Sequence, residues 1–478
     1  MSTELLTPTE SLTHTELLTH FTTKPPSIEE RIAVGKALRK KFPRIKQGEY
    51  KVRANRTDPI SILMAQGETR LPELVPIRYA RMLTSPFAFL RGAAAIMSAD
   101  LKANGDTSGI QVQACGDMHV ANFGVFASAE RNLIFGINDF DETLPGPWEW
   151  DLKRLVASIV ASGRFLGADK DLCKESVKAA VSTYCSKMKE FAQMGYMELW
   201  YARISDKDIL KSMSGSARKG AKKIMAKAKE RTHLQVLGKL TDMVDEKFRL
   251  KENAPFIVRE THAKDGTPIE VALGQVLESY FLSLAEDRKS LLQHYRIVDV
   301  ARKVVGVGSV GTRCWIIFLA GNHSNDPLFL QVKEAQPSVL EPFVSPSTHK
   351  TPGQRVVAGQ RLIQAAPDIF LGWGELANGF KFYIRQLRDM KGGVEFDPQK
   401  VTVENMPQYC SLCAWALALS HAKSGDAAMI SGYAGNGDEL GDAMVRFGFA
   451  YADQTEKDHE ALAAAAKSGR IKVANAAS

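Results

Sequence analysis

Cys115–Gly124 reads CGDMHVANFG: a glycine-aspartate pair, a histidine two positions after the aspartate, and an asparagine five positions after it. Such a run serves a phosphoryl-transfer site, a metal site or a plain polar turn, because Asp and Asn at strand ends are most often turn formers. Its surroundings decide. Upstream, GIQVQA (109–114) alternates as a strand does and delivers Asp117 to a strand end. Downstream, FGVFASAERNLIFGIND (123–139) predicts a hairpin turning at Ser128–Asn132 and ending on Asp139, in GINDFDET. Asp117, Asn122 and Asp139 are thus set in order at the strand ends of one local unit.

Phosphoryl transfer asks little covalent chemistry of a protein; it needs a group beside the attacking hydroxyl and oxygen ligands for magnesium. Asp117 can accept the hydroxyl proton, Asn122 can offer an uncharged oxygen to the metal, and Asp139 can add an anionic one, a donor set that suits a hard cation. His119 is a third metal ligand or a brace of the loop. Asp141 assists the metal or caps the next turn.

A nucleotide site also needs a cradle for phosphates. Gly306, Gly308 and Gly311 form G-x-G-x-x-G in GVGSVG, with Ser309 inside it. A dinucleotide fold would open a helix at the last glycine, but Thr312–Phe318 (TRCWIIF) favours a strand. Strand, glycine turn, strand is the arrangement that lays backbone amides over nucleotide phosphates, and it requires a lysine on the next strand. LFLQVKEA (328–335) supplies Lys333.

The 478 residues suffice for a large two-part body. A net charge of +8 with pI near 9.0 fits an anionic ligand or simple solubility. There is no apolar run of membrane-spanning length and no signal-peptide pattern at the amino terminus, so a cytoplasmic location without membrane attachment is expected. Six scattered cysteines suggest no disulfide framework, and the CxxC at Cys410 and Cys413 sits in an apolar helical pattern as two buried thiols. The basic run at 206–231 has few aromatics for base stacking and reads as a solvated helix face rather than a nucleic-acid surface. Residues 1–27 read as a loose tail. A helix follows, capped by Ser27 with Glu30 placed for a capping box, and PFAFLRGAAAIMSADLKANG (86–105) reads as one further helix.

CGDMHVANFG followed by NDFDE resembles the catalytic and metal motifs of aminoglycoside and choline kinase-like enzymes, where an HGDxHxxN run precedes a strand ending in IDF. Over residues 45 to 460, RMLTSPFAFLRGAA, GPWEWDLKRLVAS, FYIRQLRDMKG and HAKSGDAAMISGY resemble an uncharacterised bacterial group, domain-of-unknown-function family 2252. The resemblance implies a kinase-like fold, with Asp117 as base, Asn122 and Asp139 on the metal, Lys333 on phosphate, and Asp151 bracing the catalytic loop. Cys115 stands where the kinase-like motif has histidine. The acidic partner of Lys333 is to be sought at Glu341 or Glu334.

Ordinary kinases place the glycine loop before the catalytic aspartate; here it follows. Circular permutation reconciles the two orders, since a chain tolerates permutation where its termini lie together at the surface. The expectation is therefore an α+β, protein-kinase-like two-lobed fold, permuted so that the C-lobe comes first. Residues 28–295 would form a helical C-lobe-like part with the catalytic hairpin, 296–400 an antiparallel N-lobe-like sheet, and 401–478 helices returning to the C-lobe. The expected activity is ATP- and magnesium-dependent phosphoryl transfer to an unknown acceptor, with a small-molecule hydroxyl preferred. Two further readings keep the nucleotide: a pseudokinase, and nucleotidyl transfer to protein. A metallophosphoesterase, suggested by the D-x-H at Asp117–His119 and by GNH at 321–323, lacks the remaining histidines: no H-x-H occurs among ten.

Overall fold

A computed structural model describes residues 13–231, 233–244, 247–262, 266–304, 306–323, 326–387 and 390–474. The fold is α+β, with small sheets set against a large helical body. That body is built on the helices Trp148–Leu166, Lys170–Phe191, Met406–Ser424 and Asp438–Lys467. Trp148–Leu166 is buried along nearly its whole length. Its alanines, serines and Gly163 let neighbours approach closely: a Cβ at Gly163 would stand 2.6 Å from the Cys173 sulfur. Cys410 and Cys413 are buried free thiols in this core, as their helical pattern suggests.

The expected hairpin forms, Phe123–Ala127 pairing with Leu133–Ile137. The antiparallel sheet expected within 296–400 also forms: Arg296–Lys303, Cys314–Ala320 and Pro327–Glu334 pair antiparallel within a six-stranded sheet that Lys381–Gln386 extends. Alternation along Cys314–Ala320 sends Ile317 and Leu319 to one face and Ile316 and Phe318 to the other. The first face is covered by the helix Ile269–Ser283 through Val276 and Tyr280, the second by Val236 and Leu237. Val236, Leu237 and the helix Ile269–Ser283, assigned to the helical part by sequence, therefore pack on the sheet. Conversely, Val356 and Val357 of the helix Pro352–Ile363, from the 296–400 segment, join the large helical core.

Two local expectations change. The tail contains a helix, His14–Thr22, held by a Thr13–Glu16 capping box although it buries no residue, while residues 1–12 lie outside the described residues. The helix expected across 86–105 breaks at Ala93 into Pro86–Gly92 and Ala94–Ala103. The Gly92 carbonyl is taken by the Arg78 guanidinium at 3.0 Å, which withdraws it from the helical ladder. Ser27 and Glu30 do form their capping box at the start of Ile28–Lys41. No helix among the described residues is long and apolar enough to cross a membrane.

Candidate functional site

The Cys115–Gly124 loop is held from behind by one face of the helix Trp148–Leu166. Asp151 accepts the amides of Cys115 (2.7 Å) and Gly116 (2.9 Å). One turn on, Arg154 meets the Asp117 carboxylate, with its Nε at 2.7 Å. A further turn on, Ser158 accepts the Val120 amide at 3.0 Å. The spacing i, i+3, i+7 puts all three side chains on one stripe of the helix. Asp151 is itself backed by His421 (Nε2 at 3.3 Å), whose Nδ1 lies 2.8 Å from the Tyr184 hydroxyl. The bracing that Cys115 cannot offer thus comes from Asp151 and His421, and burial pushes the Cys115 thiol well up, keeping it neutral. Gly116 is required by its backbone: φ is +77°, and a Cβ there would stand 2.7 Å from the Glu142 carbonyl.

On the open side, Asp117, His119, Asn122, Asp139, Asp141, Gly306, Gly308 and Ser309 line one cleft. The Asn122 amide nitrogen donates to the Asp117 carbonyl at 2.7 Å, which leaves its oxygen for another partner. Burial raises the Asp117 carboxyl, opposed by Arg154. Burial, together with Arg91 and Arg154, keeps His119 neutral, and its Nδ1 has no hydrogen-bond partner.

Lys333 and Tyr383 are cross-strand neighbours and project to the same side. Both reach Asp141: the ammonium forms an ion pair with it, and the Tyr383 hydroxyl donates to it at 2.6 Å. Asp139 is 4.0 Å from the Lys333 ammonium. Burial opposes the charge on Lys333, yet Asp139 and Asp141 overcome it and raise the pKa well above the ordinary value. Ser309 donates to Asp141 at 3.3 Å, so one carboxylate links the glycine loop to the lysine.

The remaining assignments divide. Glu341 is not the partner of Lys333: it accepts the Ser338 amide and lies 3.8 Å from Arg355, because its Pro-flanked segment turns it away from the strand. Glu334 pairs with Arg313, pointing to the other side of the strand from Lys333. Gly311 is outside the cleft lining; its φ of +92° and the Arg70 side chain against it explain the glycine. Asp151 sits behind the loop rather than in the cleft. GNH (321–323) lies in the hairpin after Cys314–Ala320, where Gly321 donates to the Asp326 carbonyl, and it does not line the cleft.

Among the described residues no group of three or more His, Cys, Asp or Glu is placed to hold a metal ion by itself. Asn122 and Asp139 offer oxygen donors only, a set suited to a hard cation that takes its other ligands from phosphate and water. Sequence reasoning missed Arg70, Arg78 and Arg91, which line the same cleft, as well as Arg154 and His421. The polar stripe Asp151, Arg154, Ser158 on one face of a helix buried along nearly its whole length was the available signal for Arg154.

A family model described as an uncharacterised protein conserved in bacteria (DUF2252) matches residues 70–465. Comparison with curated proteins and with solved structures finds no match.

Proposed function

We propose that this chain, which belongs to the DUF2252 family of uncharacterised proteins conserved in bacteria, binds ATP with magnesium in the cleft and transfers the γ-phosphoryl group to an acceptor hydroxyl. The reading includes a kinase-like, circularly permuted framework, with the catalytic loop preceding the glycine loop in the chain. One observation carries it. The strand-end carboxylates Asp139 and Asp141, the glycine loop and Asp117 line one cleft although they lie far apart in sequence, and the buried strand lysine Lys333 stands directly behind the two carboxylates.

In this reading Lys333 meets the α/β-phosphates, and the loop around Gly306, Gly308 and Ser309 covers them. Asn122 and Asp139 hold magnesium, which would neutralise charge developing on the phosphates. Asp117 takes the acceptor's proton as the acceptor oxygen bonds to the γ-phosphorus and the bond to the departing ADP breaks. The raised carboxyl of Asp117 suits a base, and Arg154 fixes its orientation. His119, neutral and two residues after Asp117, braces the loop. Asp141, bound to Lys333 when no nucleotide is present, positions the ammonium. A small-molecule hydroxyl remains the preferred acceptor.

Incubation of the protein with ATP, magnesium and a metabolite extract, followed by mass spectrometry, tests this. A phosphate added to a metabolite, absent with Asp117→Ala, is the expected result. AMP added to protein would replace phosphoryl by nucleotidyl transfer. ATP left intact under all conditions would overturn the activity.

A further inference from the structure

Three arginines from the amino-terminal segment, Arg70, Arg78 and Arg91, line the cleft beside the glycine loop. Arg78 is 1% exposed and Arg70 9%. None of the three forms a carboxylate ion pair among the described residues. The Nε and Nη1 atoms of Arg78, and the Nε atoms of Arg70 and Arg91, have no hydrogen-bond partner. What Arg70 and Arg78 do hold is neutral: Arg70 donates to the Val310 carbonyl at 2.5 Å, and Arg78 to Gln66 and to the Gly92 carbonyl, each at 3.0 Å. Burial pulls all three guanidinium pKa values down, yet arginine keeps its charge in proteins. Carboxylates act on them only from a distance, Glu142, Glu334 and Asp141 on Arg70 and Asp117 and Asp139 on Arg91; buried cations with no carboxylate in contact are costly to a fold and point to an anion that completes them.

A second feature aims at the same place. The helix Ala94–Ala103 starts at the cleft with no side-chain cap on its first turn, and Gly92 and Ala94 line the cavity. Free amides at a helix start favour an anion. The loop itself leans on this wall: a Cβ at Gly308 would approach the Arg91 carbonyl to 3.3 Å.

We infer that the arginine wall and the start of the helix Ala94–Ala103 form a phosphate-binding subsite, with Arg91 touching the ligand and Arg70 and Arg78 supplying charge from behind. The subsite would stand whether or not the protein transfers phosphoryl groups. Its ligand is a phosphate-bearing small molecule, either the nucleotide's own polyphosphate or a phosphorylated acceptor.

Calorimetric titration of the full chain with inorganic pyrophosphate tests this. Wild type should bind it; folded Arg91→Gln should lose at least about tenfold in affinity, as expected for one charge-assisted contact. Arg78→Gln should weaken binding too, with Arg78→Lys recovering part of the loss. Displacement of pyrophosphate by ATP assigns the subsite to the nucleotide, and simultaneous binding assigns it to the acceptor; either result supports the inference. Pyrophosphate binding in a protein that never binds ATP would also support it, while sinking the proposed activity. No binding to wild type, or equal binding to wild type and Arg91→Gln, would overturn it.

Discussion

Arg56 and Arg78 come from the same amino-terminal segment, the first mostly covered and the second fully buried, yet their surroundings are opposite. Arg56 is clamped by Asp100 at 2.7 and 2.8 Å and by Asp458 at 2.8 and 2.6 Å, and Tyr451 donates to Asp100 as well. Burial works against the Arg56 charge, but the two carboxylates more than offset it and raise its pKa. Arg78 has only an amide oxygen and a backbone carbonyl, and burial pulls its pKa well down. The clamp ties the segment to the long carboxy-terminal helix Asp438–Lys467 and reads as structure. The unclamped arginine faces a cleft and reads as function. A buried charge is informative through what answers it.

Mutations can break or sharpen this contrast. Arg56→Met leaves Asp100 and Asp458 buried with no cation between them and should cost about 3–5 kcal/mol in chemical denaturation; a loss below about 1 kcal/mol would erase the contrast. Lys153 is an intermediate case, buried over the Phe447 ring at 5.0 Å, with its pKa lowered to about 8 by burial, which the nearby Glu149 partly opposes. Since its folded pKa lies below the unfolded value near 10.4, the unfolded chain binds the extra proton between those values. Stability should therefore fall as pH drops from about 10.4 to 8 and level off below. Lys153→Met should abolish that slope and gain up to roughly 3 kcal/mol at pH 7, as read by urea unfolding across this range. Tyr184→Phe, which strands the buried Nδ1 of His421, should cost about 1–2 kcal/mol. Arg78→Met removes a buried charge along with two hydrogen bonds, so the opposing effects should leave thermal stability within about 1 kcal/mol of wild type. Pyrophosphate should then raise its melting temperature less than it does that of wild type.

What the sequence disclosed follows the range over which each interaction acts. The turn holding Asp117 and Asn122, the hairpin ending at Asp139, the glycine loop and Lys333 were all legible, because local alternation and turn residues define them. The partner of Lys333 was not: Asp141 stood two positions from Asp139 in NDFDE, but only the packing of the sheet against the hairpin brings it to the lysine. Arg78 and Arg91 resemble ordinary surface cations in short helices until the chain folds over them, and the Gly92 carbonyl beside the break at Ala93 accepts a hydrogen bond from Arg78. His421 lay in a stretch already noted for its resemblance, HAKSGDAAMISGY, yet its link to Asp151 joins helices distant in the chain. The sheet's covering by Val236, Leu237 and the helix Ile269–Ser283 was hidden for the same reason.

The most direct test of the central claim is calorimetric binding of a non-hydrolysable ATP analogue to the full chain, with and without magnesium. Binding that requires magnesium, and that falls by about tenfold or more in both Asp139→Asn and Lys333→Met, is the predicted result. Absence of binding to wild type, or binding unchanged by both substitutions, would contradict it.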